Sequence, residues 1–119
     1  MSADGDADLL NPTEVLLAGF AACMLKNVKR FAEILRFAYE QAAVRVHAVR
    51  QESPPRITEI TYTLHLWTAE PPHRVELLHR NLRKFGTVYN TLAACANVSG
   101  QVEPHSASGT AAGPTALDG

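Results

Sequence analysis

The chain has 119 residues, 46% of them hydrophobic and 19% charged, with a formal net charge of -1. That is enough apolar material for one small domain with a real core. It lacks the basic footprint that nucleic acid or an anionic membrane would require, and no run is long enough to span a bilayer. Two cysteines, together with an acidic start at Met1 to Asp8 that has no apolar leader, predict a reducing, cytoplasmic setting and no disulfide framework.

In chain order, the first predicted element is a long helix from Asn11 to about Glu40. Asn11 can accept from the free N–H groups of a first turn, and Pro12 at N1 gives up a donor that has no partner there. Glu14 falls at N3, the acidic position of a capping box and the favoured charge at that end of a helix. Val15 to Leu25 carries no polar side chain, which predicts a central helix half that is buried all round. Beyond Leu25 the pattern becomes one-sided, with Lys26, Lys29, Arg30, Glu33, Arg36 and Glu40 on one face.

Val44, Val46 and Ala48 alternate with Arg45, His47 and Val49 as a first strand, and Ile57 to Thr68 resumes strand character. Pro54 and Pro55 interrupt the two and predict an antiparallel hairpin. Pro71-Pro72 suits a helix start, and Val75, Leu78, Leu82 and Phe85 give that helix an apolar face. Gly86 is placed to end it in the left-handed conformation, and Thr87 to cap a short helix from Val88 to about Ala94. Ala96, Val98, Gly100 and Val102 alternate as a last strand, and Pro104 to Gly119 reads as a disordered tail.

The order of elements predicts an α+β fold in which a long buried central helix packs on an antiparallel sheet. The expected divisions are a flexible N-terminus at 1–10, one domain at 11–103 and a tail at 104–119. Three strands cover such a helix thinly. A second copy of the chain is the simplest cover, so a homodimer is expected.

The run N-P-T-E-V-L-L-A-G-F-A-A-C, Asn11 to Cys23, resembles the central-helix motif of the OsmC/Ohr family. The order of hairpin, helix, second motif and closing strand agrees over about Leu10 to Val102. The family's second motif, C-P-V/I-S/Y-x-x-L, corresponds to Gly86-Thr87-Val88-Tyr89-Asn90-Thr91-Leu92 and agrees from Val88 onward. The resemblance implies an intertwined homodimer with two interface sites that reduces organic hydroperoxides with a pair of thiols and no cofactor. By position Cys23 corresponds to the attacking cysteine and Glu14 to the orienting acid. Gly86 takes the place of the resolving cysteine and Thr87 that of its proline. The ten residues before Asn11 contain no Lys or Arg, whereas the family carries an activating arginine there, so a divergent or N-terminally truncated member is expected.

Read without the resemblance, Cys23 is a small buried hydrophobe, Glu14 a cap and Cys95 a core residue. A reactive Cys23 needs a cation folded against it, for which Arg50, Arg56, Arg83 and Lys84 are candidates. Gly86, Thr87 and Tyr89 at a helix start are candidates for ligand binding, with simple capping as the other reading of Thr87. His47, His65, His73, His79 and His105 show no ligand spacing, so no metal is expected. Two functions follow. One is a thiol peroxidase acting through Cys23, with an external thiol as reductant; the other is a non-catalytic dimer that binds a small apolar ligand.

Overall fold

The computed structural model describes residues 11–106. The expected flexible N-terminus at 1–10, and the expected tail from 107 onward, lie outside the described residues. The chain runs α1 (Pro12–Leu35), β1 (Gln41–Glu52), β2 (Pro55–Trp67), α2 (Pro72–Phe85), α3 (Thr87–Ala93) and β3 (Asn97–His105).

Helix α1 begins as its sequence predicts. The Asn11 side chain accepts from the N–H of Thr13 at 2.9 Å and of Glu14 at 3.2 Å, which satisfies two orphan donors of the first turn. Glu14 makes no return bond, so Asn11 alone is the cap and no reciprocal capping box forms. The helix ends at Leu35, short of the expected Glu40. Arg36 takes the left-handed conformation at φ 54°, and the N–H of Phe37 donates back to the Ala32 carbonyl at 2.8 Å. A tertiary clasp holds this turn. Arg74 donates to the carbonyls of Leu35 at 2.7 Å and Arg36 at 3.0 Å. Glu70 accepts from the Ala38 N–H at 2.7 Å, and Thr68 donates to the Ala38 carbonyl at 2.6 Å.

Strands β1 and β2 form the expected hairpin, from Gln41 opposite Trp67 to Glu52 opposite Pro55, with an irregularity between Val49 and Arg50. The sheet order is β1-β2-β3. Strand β3 lies parallel to β2, so the sheet is mixed where an antiparallel one was expected. The reason is the connection: α2 and α3 together make a crossover that returns the chain to the starting end of β2. Alternation of side chains gives a strand's faces but not its direction. The strand also runs through Pro104 and His105, beyond the expected end of the domain.

The core lies between one face of β2 and the inward faces of the helices. Ile60, Leu64 and Leu66 are fully buried and Tyr62 nearly so. Phe20, Met24 and Val28 of α1, Val75, Leu78 and Leu82 of α2, and Tyr89 of α3 close over them. Each such aliphatic side chain stabilises the fold by about 1.5–3 kcal/mol through removal from water. The expected all-round burial of α1 is not met within one chain. Its inward stripe is covered, but Val15 is 37% and Leu16 41% exposed, because these elements cover only one side of the helix. Phe85 also departs from expectation. It is exposed, with its ring 5.6 Å from that of Phe31. No described helix is long and apolar enough to cross a membrane.

Candidate functional site

Cys23 sits midway along α1 and is half-buried, with a free thiol. One turn on, Asn27 donates its side-chain amide to the Cys23 carbonyl at 3.0 Å, with the same nitrogen 3.5 Å from Sγ. Lys26, Asn27, Lys29, Arg30 and Glu33 join Cys23 around a groove of about 500 Å³. Three cations against one carboxylate make this rim electropositive. Reactive cysteines occupy partly exposed, electropositive settings of this kind, whereas structural ones are enclosed in apolar side chains.

Within one chain the cations around this groove come from α1 itself, and none of the four candidates named from sequence lines it. Arg50 and Arg56 border a cleft beside Thr13, at the opposite end of the helix half. Arg83 lines a cavity with His79, and Lys84 lies over the Phe85 ring. The signal for Lys26 and Arg30 was present in their spacing, three and seven residues after Cys23, which returns them to its side of a helix.

Gly86 lies against the same site. A Cβ placed there would be 3.8 Å from the Asn27 side-chain nitrogen, but also 2.9 Å from the Leu82 carbonyl oxygen and 3.1 Å from the Tyr89 Cβ. Its backbone is extended at φ -74°, not left-handed as expected. Leu82 accepts its N–H in an ordinary helix ending. Gly86 itself is the N-cap of α3, so Thr87 is the first helical residue and its side chain caps nothing. Tyr89 is a core residue: its ring packs against Phe20 at 5.9 Å and Tyr62 at 6.0 Å.

Glu14 does not meet Cys23 within one chain. Nine helical steps separate them, about 13 Å along the axis. Glu14 instead borders a groove between α1 and β1 with Thr13, Leu17 and His47. Cys95, expected in the core, is exposed near the end of α3, with its carbonyl accepting from Arg56 at 3.3 Å.

Two further clusters join residues that are distant in sequence. The Tyr62 hydroxyl and Nε2 of His79 are 2.6 Å apart in the core. Burial, and then the neighbouring Tyr89, push Tyr62 above the ordinary tyrosine range. Burial, and then the Arg83 charge, push His79 below the ordinary histidine value. Both groups are therefore neutral at pH 7, with one proton between them. On the other face of the sheet, Nδ1 of His65 is 3.0 Å from Nε2 of His105 and 3.6 Å from a Glu103 carboxylate oxygen. Histidines forty residues apart show no spacing in the sequence. It is the parallel pairing of β2 with β3 that joins them.

The profile of the OsmC-like protein family matches residues 5–100. The chain belongs to this family. A comparison with curated proteins gave no match. Among solved structures, the OsmC-like protein of Mycoplasma pneumoniae superposes with a TM-score of 0.77 at 17% identity, covering 87% of this chain and 77% of that one. The organic hydroperoxide resistance protein OhrB of Bacillus subtilis gives 0.64 at 17% identity, over 87% and 78%. The organic hydroperoxide resistance protein OsmC of Legionella pneumophila gives 0.65 at 18% identity, over 84% and 72%. These likenesses establish the OsmC-like fold. Both motif segments, Asn11 to Cys23 and Gly86 to Leu92, fall inside the matched residues.

Proposed function

We propose that this OsmC-like chain is a homodimeric thiol peroxidase that reduces organic hydroperoxides through Cys23 and recovers with an external thiol. The observation that carries this reading is the setting of Cys23, half-exposed in a cationic groove with the Asn27 amide 3.5 Å from its sulfur. The Cys23 thiolate attacks the distal oxygen of the hydroperoxide. An S–O bond forms as the O–O bond breaks, sulfur is oxidised to a sulfenic acid, and the alkoxide takes a proton and leaves as alcohol. Gly86 offers no sulfur to condense with that acid. A free thiol does so instead, releasing water and leaving a mixed disulfide, which a second thiol reduces.

The dimer is supported by what one chain leaves open. Among the described residues, Val15 and Leu16 are exposed on α1, and β1 is an edge strand of twelve residues. Long open edges and apolar patches are normally covered. A second copy would also bring its own Glu14 to the interface, which is how an acid about 13 Å away within the chain could serve Cys23.

The test is a thiol titration of the folded Cys95→Ser protein before and after a small excess of an organic hydroperoxide. Loss of one thiol, with a dimedone-trapped sulfenic acid at Cys23, is the expected result. A thiol that resists both hydroperoxide and alkylation until the chain unfolds would end the peroxidase reading and leave a ligand-binding dimer. Leu16→Glu should convert the dimer to monomer by light scattering, and an unchanged mass would exclude this face as the interface.

A further inference from the structure

The three ligand-type side chains on the outer face of the sheet stand apart from the Cys23 groove and have no part in the chemistry above. His65 of β2 is opposite Glu103 of β3, and Trp67 is opposite His105. All four residues therefore lie on two adjacent, hydrogen-bonded strands. The donor atoms of His65, Glu103 and His105 all lie within 4.8 Å of one another. Two imidazoles and a carboxylate form a zinc donor set that leaves a fourth position open. Metal–ligand bonds of about 2.0–2.1 Å in a tetrahedral site put neighbouring donors roughly 3.3 Å apart. The two separations made by Nδ1 of His65, 3.0 Å to His105 and 3.6 Å to Glu103, bracket that value, and the Glu103–His105 pair lies within 4.8 Å.

The surroundings also suit an ion. The Trp67 ring stacks on His105 at 4.5 Å and is itself 5% exposed, outside the main core cluster. It makes a dry wall on one side and restrains the His105 ring. The Glu103 side chain is 49% exposed, which leaves an approach from solvent. Sites built on strands hold their geometry better than sites on loops. The 3.0 Å contact between the two rings suits an N–H of one imidazole donating to the bare nitrogen of the other, and a metal ion bound here would take the place of that hydrogen.

We infer that His65, Glu103 and His105 form a binding site for a divalent transition metal that favours imidazole, with Zn²⁺ as the natural class. Imidazole nitrogens select zinc and copper over magnesium and calcium, which prefer all-oxygen sites.

The experiment uses the full chain without a histidine tag and with Cys23→Ser and Cys95→Ser, so that no thiolate competes. Zn²⁺ is titrated by calorimetry, and Cu²⁺ by fluorescence of Trp67, the single tryptophan. One ion per chain should bind, and Cu²⁺ should quench the emission. His65→Ala and His105→Ala should each weaken binding at least tenfold, and Glu103→Gln by less, while His47→Ala and His73→Ala change nothing. Where removal of His105 loosens the edge strand, His65→Ala and Glu103→Gln carry the same test. The site is refuted by no binding at micromolar metal, by affinity that survives loss of either imidazole, or by Trp67 emission indifferent to Cu²⁺. None of these readouts depends on peroxidase activity.

Discussion

Asn27 and Cys23 are joined twice, through a 3.0 Å hydrogen bond to the Cys23 carbonyl and an approach of 3.5 Å to its sulfur. The first bond restrains the amide, and the second presents an N–H to the atom that would carry negative charge. A bond of this kind contributes about 0.5–1.5 kcal/mol. Asn27→Ala should therefore slow alkylation of Cys23 by roughly two- to tenfold at fixed pH, which timed iodoacetamide labelling would measure. An unchanged rate would mean that the amide serves only the helix backbone.

Gly86 is glycine for reasons of space, since its φ of -74° suits any residue. A Cβ there would press on the Leu82 carbonyl and on Tyr89. Gly86→Ala should destabilise the fold by about 1–3 kcal/mol, the usual range for overpacking. Gly86→Cys should do no better. Urea midpoints of both variants give the answer, and wild-type stability in Gly86→Ala would refute the crowding.

The buried Tyr62–His79 pair gives the protein a mildly acid weakness. Burial lowers the folded-state pKa of His79, so protonation is easier in the unfolded chain. The stabilisation is complete above the ordinary histidine range and is lost as pH falls through it towards the lower folded value. His79→Gln, which can still bond to the Tyr62 hydroxyl, should remove this slope. Urea midpoints collected between pH 7.5 and 5 on both proteins are the check, and parallel curves would show that His79 is not the group responsible.

Arg36 is the only non-glycine residue with positive φ among the described residues. A side chain in that conformation costs roughly 1–2 kcal/mol. Its tertiary bond is made by the backbone carbonyl, which glycine retains. Arg36→Gly should therefore stabilise the domain by about 1 kcal/mol, raising Tm by about 4 °C or more. A fall in Tm would mean that the arginine side chain contributes more than its backbone strain.

Where local chemistry decides a feature, the sequence shows it. Asn11 and Pro12 mark the start of α1, and the alternation from Ile60 to Leu66 marks the buried face of β2, because each signal lies within a few residues of its effect. Features decided by distant partners were hidden. The end of α1 depends on Thr68, Glu70 and Arg74, which its own residues do not announce. The direction of β3 depends on how α2 and α3 carry the chain back. For the candidate site, Cys23 and the neighbourhood of Gly86 were legible from the motif. The sequence shows Lys26 and Arg30 on one charged face of the helix but not the groove that this face shares with Cys23, so its candidates were Arg50, Arg56, Arg83 and Lys84.

The parallel return of β3 has a kinetic consequence. Helix α1 and the β1–β2 hairpin close through near neighbours in the chain, so both can form early. Glu59 meets Asn97, and Trp67 meets His105, only after the whole of α2 and α3 has been traversed. Contacts of such long sequence separation are slow to form, since the loop must be closed before any pairing rewards it. Until then the far edge of β2 lacks a neighbour, and a partly folded chain offers it to any other strand in reach. Docking of the last strand is the step that closes this edge, and slow closure of such edges is what exposes a folding chain to aggregation.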